Sequence, residues 1–164
     1  MYHQPFTIPD EDGRPHLVGT LVDGKLRDTL NIFFDGAPQA AIAYAGGVQD
    51  GPCTILHRAH QPSARMHYRA GKLHGLAEFY APDGQLVRKT HYLLGEVHGV
   101  QQDYYPDGGL FEQANYQHGV LDGLWERHHP NGVVSERRWY EAGVQRRAPE
   151  RFDPRGLPAP AKRS

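Results

Sequence analysis

The stretch YRAGKLHGLAEFYAPDGQLVRKTH (68–91) runs directly into YLLGEVHGVQQDYYPDGGLFEQAN (92–115) and then YQHGVLDGLWERHHPNGVVSERRW (116–139). Tyrosine opens each copy, and the same 24-residue beat reaches back to Tyr44 and on to Tyr140. Glycines keep time with it at Gly47, Gly71, Gly95, Gly119 and Gly143, and again at Gly51, Gly75, Gly99 and Gly123. A fixed period of this length is the signature of one supersecondary unit stacked on copies of itself. Two short runs make up each copy. Pro82-Asp83-Gly84, Pro106-Asp107-Gly108 and Pro130-Asn131-Gly132 separate them. These are tight turns, because Pro presets φ and Asp-Gly or Asn-Gly accepts positive φ. Gly75–Tyr80 therefore reads as one strand and Gln85–Tyr92 as its antiparallel partner, with Gly71–Gly75 as the second connection.

Side-chain alternation assigns faces. The positions that recur down the array are Leu76/Val100/Leu124, Tyr80/Tyr104/His128, Leu86/Leu110/Val134 and Tyr92/Tyr116/Tyr140, which predicts an internal core there. Trp125 and Trp139 fall opposite Leu124 and Tyr140 and are expected to share a face as an aromatic patch. Earlier copies are more worn. Asp12-Gly13 and Asp35-Gly36 supply turns, His60 takes that place in the third copy, and Pro38 and Pro52 mark edges or bulges. The expected organisation is an N-terminal arm over 1–11, an array of about five and a half units over 12–143, and a basic, Pro-rich cap and tail over 144–164. Strand follows strand with no helix-period segment, so the fold class is all-β, an antiparallel meander.

The pattern G-K-L-x-G-x-x-x-x-Y-x-x-D-G-x-L-x-x-x-x-x-Y resembles the MORN repeat, in the bacterial variant of YwqK-type antitoxins, most clearly over 68–143. That resemblance implies a curved, single-layer antiparallel β-meander with aromatic and Leu side chains stacked along it. It also implies an antitoxin or immunity protein that sequesters a toxin by steric occlusion. MORN proteins are linked to membranes as well, so a scaffold or phospholipid-headgroup binder is the second expectation.

Composition narrows the classes further. Hydrophobic residues make 38% and aromatic residues 10%, with 19 Gly and 13 Pro, which suits a thin, turn-rich β protein. The net charge of -1 gives no general pull toward nucleic acid. It conceals a tail over 144–164 with six Lys/Arg against two acids (+4), leaving -5 on the rest. Such an acidic array suits a basic partner. Cys53 is the only cysteine, so no intrachain disulfide forms. No leader-like or membrane-spanning run is present, which predicts a cytoplasmic protein.

Chemistry-bearing patterns are weak. Histidines at equivalent positions, such as His67/His91 and His74/His98, lie two strands apart, about 9.5 Å, too far to share one metal. Glu78, Gln102 and Glu126, and Glu112 with Glu136, have cross-strand partners available in Arg88 and Arg138. Neither a nucleophilic triad nor a phosphate loop can be read, so no catalytic residue, cofactor or metal is expected. The expected partner is a protein, a cognate toxin, bound through Asp103, Tyr105, Trp125, Arg127, His129 and Trp139 on one side of the last two units. An open end strand is also expected to allow pairing with a second copy.

Overall fold

A computed structural model describes residues 1–57 and 61–159. His60, read as a worn turn, lies outside the described residues, as does the end of the basic tail from Pro160 onward. Two compact units emerge, Met1–Gly84 and Gln85–Ser164. Among the described residues the only regular elements are strands. The first unit holds β1 (His3–Pro9), β2 (Pro15–Val22), β3 (Lys25–Phe34), β4 (Ala37–Ala45), β5 (Val48–Leu56), β6 (Pro62–Arg69), β7 (Lys72–Leu73) and β8 (Gly75–Tyr80). The second holds β9 (Leu86–Leu93), β10 (Glu96–Tyr104), β11 (Leu110–Gln117), β12 (Val120–His128), β13 (Val134–Glu141), β14 (Val144–Gln145) and β15 (Glu150–Arg151). Within each unit every strand pairs antiparallel with its chain neighbours, except that β8 joins β6 past the short β7, and β15 joins β13. The all-β meander is thus the observed fold.

Two turn types alternate, and each follows from sequence. At Leu94-Gly95 both residues have positive φ (52° and 95°), as they do at His118-Gly119 (50° and 79°). That geometry matches the right-handed twist of the flanking strands and makes two-residue hairpins. The Pro-Asp-Gly turns close differently, with the Gly84 amide donating to the Ala81 carbonyl and Gly108 to Tyr105. The second glycine series does not bracket a loop. Gly51, Gly99 and Gly123 lie inside β5, β10 and β12, where the pairing register with the preceding strand shifts, and carry φ of 112°, 96° and 105°. Each is a bulge, not a turn boundary. Pro38 and Pro52 also stand beside register shifts, where a missing amide is tolerated.

The core differs from expectation. Leu76 is 40% and Val100 37% exposed, whereas Ala77 (1%), Thr90 (1%), Ala114 (3%) and Cys53 (3%) are buried. The cause is size and place. These are small side chains in the middle of their strands, while Leu76 and Val100 each directly follow a glycine, Gly75 and Gly99, and alternate to the face opposite Ala77 and Gln101. Recurrence marked positions the repeat needs, and burial went to others. Cover also raises the pKa of the Cys53 thiol, so the thiolate is disfavoured.

The array is longer at both ends than the Gly and Tyr grid indicates. Asp10 to Gly13 closes a turn like that at Ala81–Gly84, so the N-terminal arm is itself a strand, β1. Beyond Gly143, Glu136 pairs with Arg151 as Glu112 pairs with Arg127, and Tyr140 pairs with Gln145 as Tyr116 pairs with Leu121. Phe152 to Gly156 repeats the turn, with the Gly156 amide donating to Asp153. The cap is another copy, 24 residues on, with Pro149 at the place of Trp125 splitting its strand into β14 and β15. The Asp153 carboxylate, held below its usual range by the Leu157 amide and by Arg155, fastens that last turn.

The β1 edge is blunted. Asp23 donates to the Tyr2 carbonyl and Asp10 to the Arg14 carbonyl. Strict alternation of an antiparallel ladder then turns the backbones of His3, Pro5, Thr7 and Pro9 outward. Two of those four positions have no N–H to offer an incoming strand. The double variant Pro5→Thr/Pro9→Thr is therefore expected to self-associate in sedimentation equilibrium at concentrations where the parent stays monomeric. An unchanged mass would show that the prolines do not guard this edge.

Candidate binding face

In residues 85–159 the directly paired positions Arg88, Asp103, Glu112, Arg127, Glu136 and Arg151 form one charged row across β9 to β15. Direct pairing puts them on one face. Arg88 binds Asp103 at 2.5 Å, Arg127 binds Glu112 at 2.9 Å, and Glu136 accepts from both Arg138 (2.8 Å) and Arg151 (3.5 Å). The guanidinium pKa values of Arg88 and Arg138 are raised, the first by Asp103, the second by Tyr140 and Glu136. These groups are partly exposed, so each pair adds little stability by itself, about 0–1 kcal/mol. Their value is positional: they fix where the charges stand.

Trp125 is the anchor of this face. On β12 it lies opposite Ala114 and Arg138, and the small Ala114 leaves room for the indole. The indole Nε1–H donates to Glu112 at 2.9 Å. Guanidinium carbons of Arg127 and Arg138 each lie 5.0 Å from the ring centroid, a double cation–π cover that leaves Trp125 8% exposed. Tyr116 stands on the same face, its pKa raised by burial and by the Glu112 charge.

The six residues expected to share one side do not all do so. Asp103, Trp125 and Arg127 do, linked through Glu112. Trp139 is directly paired with Leu124 and so lies on the opposite face, where Arg147 covers it at 3.2 Å from the ring centroid. The expectation put Leu124 and Tyr140 together, but Tyr140 pairs with Gly123, and a one-residue register difference moves a strand's side chains to the other face. Tyr105 and His129 sit past the strand ends. Tyr105 packs edge-on to Phe111 at 5.0 Å and donates from its hydroxyl to the His128 carbonyl at 2.8 Å. One unit later, the His129 ring nitrogen meets the Phe152 carbonyl at 2.9 Å. Both tie neighbouring hairpins together.

On the opposite face Arg137 binds Glu126 at 2.6 Å, and Glu126 also accepts from Gln113, which satisfies a carboxylate that is only 7% exposed as a residue. An open cleft of about 500 Å³ is lined by His98, Asn115, Tyr116 and Asp122. Among the described residues, no three His, Cys, Asp or Glu side chains converge as a metal site would require. No helix is long and apolar enough to cross a membrane, which says nothing of strands.

Sequence reading missed one feature that the register makes plain. In residues 1–84 the equivalent row is apolar: Leu17, Ile32, Ala40, Ile55, Ala64 and Phe79 pair in succession, with Ile8 opposite Leu17. The signal was present, since Ile8 and Ile32, and Ile55, Phe79 and Asp103, stand 24 residues apart.

The MORN repeat variant family matches this chain at residues 73–93 and 97–118, two adjacent copies of the repeat. No curated protein matches. Solved structures with a match include "Crystal Structure of TarM", at 12% identity and a TM-score of 0.33, covering 82% of this chain and 19% of that one. Over its best copies the chain is thus similar to MORN variant repeats, and an array of such repeats is a binding or scaffold module.

Proposed function

We propose that this protein is a non-enzymatic protein-binding module of the cytoplasm, and specifically an antitoxin or immunity protein that occludes a cognate toxin. The observation that carries the reading is the fixed presentation of side chains on broad sheet faces. Arg127 and Arg138, held in place over the buried Trp125 ring, are the clearest instance. A partner meeting such a face orders few side chains on this protein, which lowers the entropy loss of association. The YwqK-type resemblance of residues 68–143 supplies the antitoxin reading, and the similarity to MORN variant repeats supports it at the coarser level of a binding module.

The test is affinity purification of the tagged chain from its native cells, with mass spectrometry of what is retained. A stoichiometric partner whose expression alone arrests growth, relieved by co-expression of this protein, is the expected result. Retention of no protein, together with co-sedimentation on anionic vesicles at low salt, would replace this reading with the membrane-scaffold one.

A further inference from the structure

Strand pairing by itself does not call for the apolar row of residues 1–84. Positions one or more repeats later build the same antiparallel ladder with Arg88, Asp103, Glu112, Arg127, Glu136 and Arg151 in it. Something other than strand formation therefore accounts for a run of Ile, Leu, Ala and Phe at these places. A second row on the same face continues the apolar character. Leu30 pairs with Ile42, Ile42 with Cys53 and Cys53 with Met66, and a Cβ placed on Gly19 would touch both the Phe6 ring and Leu30. Among the described residues of this unit no second layer lies over the face. Ala64 (6%) and Cys53 (3%) are buried in these rows, but Ile8 is 48% and Ile55 40% exposed. Large aliphatic side chains left this open on an otherwise apolar face mark an interaction site.

Its border says what would cover it. Ile8, Leu17 and Ile32 each stand within three residues of an acidic turn cleft of about 330 Å³ lined by Asp10, Glu11, Asp12, Asp35, His16 and the 67% exposed Phe34. Arg14 pairs with Asp12 and Asp35, so one guanidinium faces four carboxylates. A second copy would bring the same acidic turns, and an anionic bilayer would meet repulsion there. An incoming strand is refused by Pro5 and Pro9.

We propose that the apolar face of residues 1–84 docks an amphipathic segment of a partner protein, whose apolar side covers the Ile8–Phe79 row while its Lys or Arg residues enter the acidic turns. This rests on the binding-module reading and adds to it the partner's chemistry.

The test uses the full chain and two designed helical peptides, identical in their Leu face but carrying Lys in one and Glu in the other on the polar side. Fluorescence anisotropy is expected to show the Lys peptide binding at least about tenfold tighter than the Glu peptide, with the difference shrinking as salt rises. Ile55→Asp is expected to weaken the Lys peptide about tenfold or more, as loss of one buried aliphatic contact implies. Should Ile55→Asp disturb the far-ultraviolet circular dichroism, Ile8→Asp on the edge strand replaces it, and Glu11→Lys reads the charge contribution by itself. Equal binding of both peptides, or no effect of Ile8→Asp on a folded chain, would overturn the proposal. So would dimerisation of the free chain that Ile8→Asp abolishes, which would assign the face to a second copy. A native partner retained equally by parent and Ile8→Asp chains would overturn the docking site and leave the binding-module reading standing.

Discussion

Trp125→Ala is expected to lower the unfolding free energy of residues 85–159 by about 3–5 kcal/mol, the range for removing a buried large aromatic. Three losses combine. The cavity opens over Ala114, which cannot fill it. The Glu112 carboxylate loses its indole donor, and Arg127 and Arg138 lose the ring on which both are stacked. Trp125→Phe separates these contributions. It keeps a ring beneath the guanidiniums and removes only the Nε1–H and part of the area, so it is expected to cost about 1–2 kcal/mol. Urea unfolding followed by Trp139 fluorescence reads both variants, because the two tryptophans of the chain belong to this unit. An alanine variant within about 1 kcal/mol of the parent, the level of an ordinary exposed substitution, would mean that the arginines close over the gap and the indole is no anchor.

Gly51→Val is expected to destabilise residues 1–84 by about 2–5 kcal/mol, the sum of backbone strain and overpacking. Gly51 has a φ of 112°, outside the range L-residues adopt with ease, and a Cβ there would lie 2.9 Å from the Ala43 Cβ. Neither can yield cheaply: the φ is set by the bulge in β5, and Ala43 has no flexible chain to swing away. Gly13→Ala is the matched control. Gly13 also has positive φ (79°), but nothing lies within 4 Å of its would-be Cβ. Its loss is expected near 1 kcal/mol, from backbone strain alone. Circular dichroism in urea compares the variants. Equal losses for Gly51→Val and Gly13→Ala would show that the bulge relaxes and the Ala43 contact decides nothing.

The face of unit 85–159 and that of unit 1–84 use one scaffold for different surfaces. The row positions are interchangeable for the fold, since neither Ile55 nor Glu112 is needed to hold a ladder whose turns and bulges are set by Gly, Pro and Asp. They are therefore free to carry recognition, which is where the two units diverge.

How much of this was legible beforehand depended on whether a feature is local. The hairpin turns were legible because Asp-Gly, Asn-Gly and Pro state their own φ requirements. Alternation within a strand was legible too, so Trp125 was correctly set opposite Leu124, and Trp139 opposite Tyr140. The relation between strands was not. Whether Trp139 shares a face with Trp125 hangs on the one-residue offset at the Arg127/His128 irregularity where β12 meets β13, and no residue announces that offset. The last copy escaped notice for a related reason. Its markers Pro154-Arg155-Gly156 and Phe152 are altered, yet Phe152 and Glu136–Arg151 still fall in register because β13 offers an edge to pair with.

Sequence by itself determined the strand-turn-strand unit, its 24-residue period and the antiparallel meander. Each of these rests on backbone preferences acting over a few residues. Only the tertiary structure decided which row of side chains each strand lays beside its neighbour. That choice buried Ala77 and Ala114 in place of Leu76 and Val100, parted the two tryptophans, and gathered one apolar and one charged row. The reason is physical: in a sheet, the identity of a face belongs to the pairing register, and register is a property of two strands together.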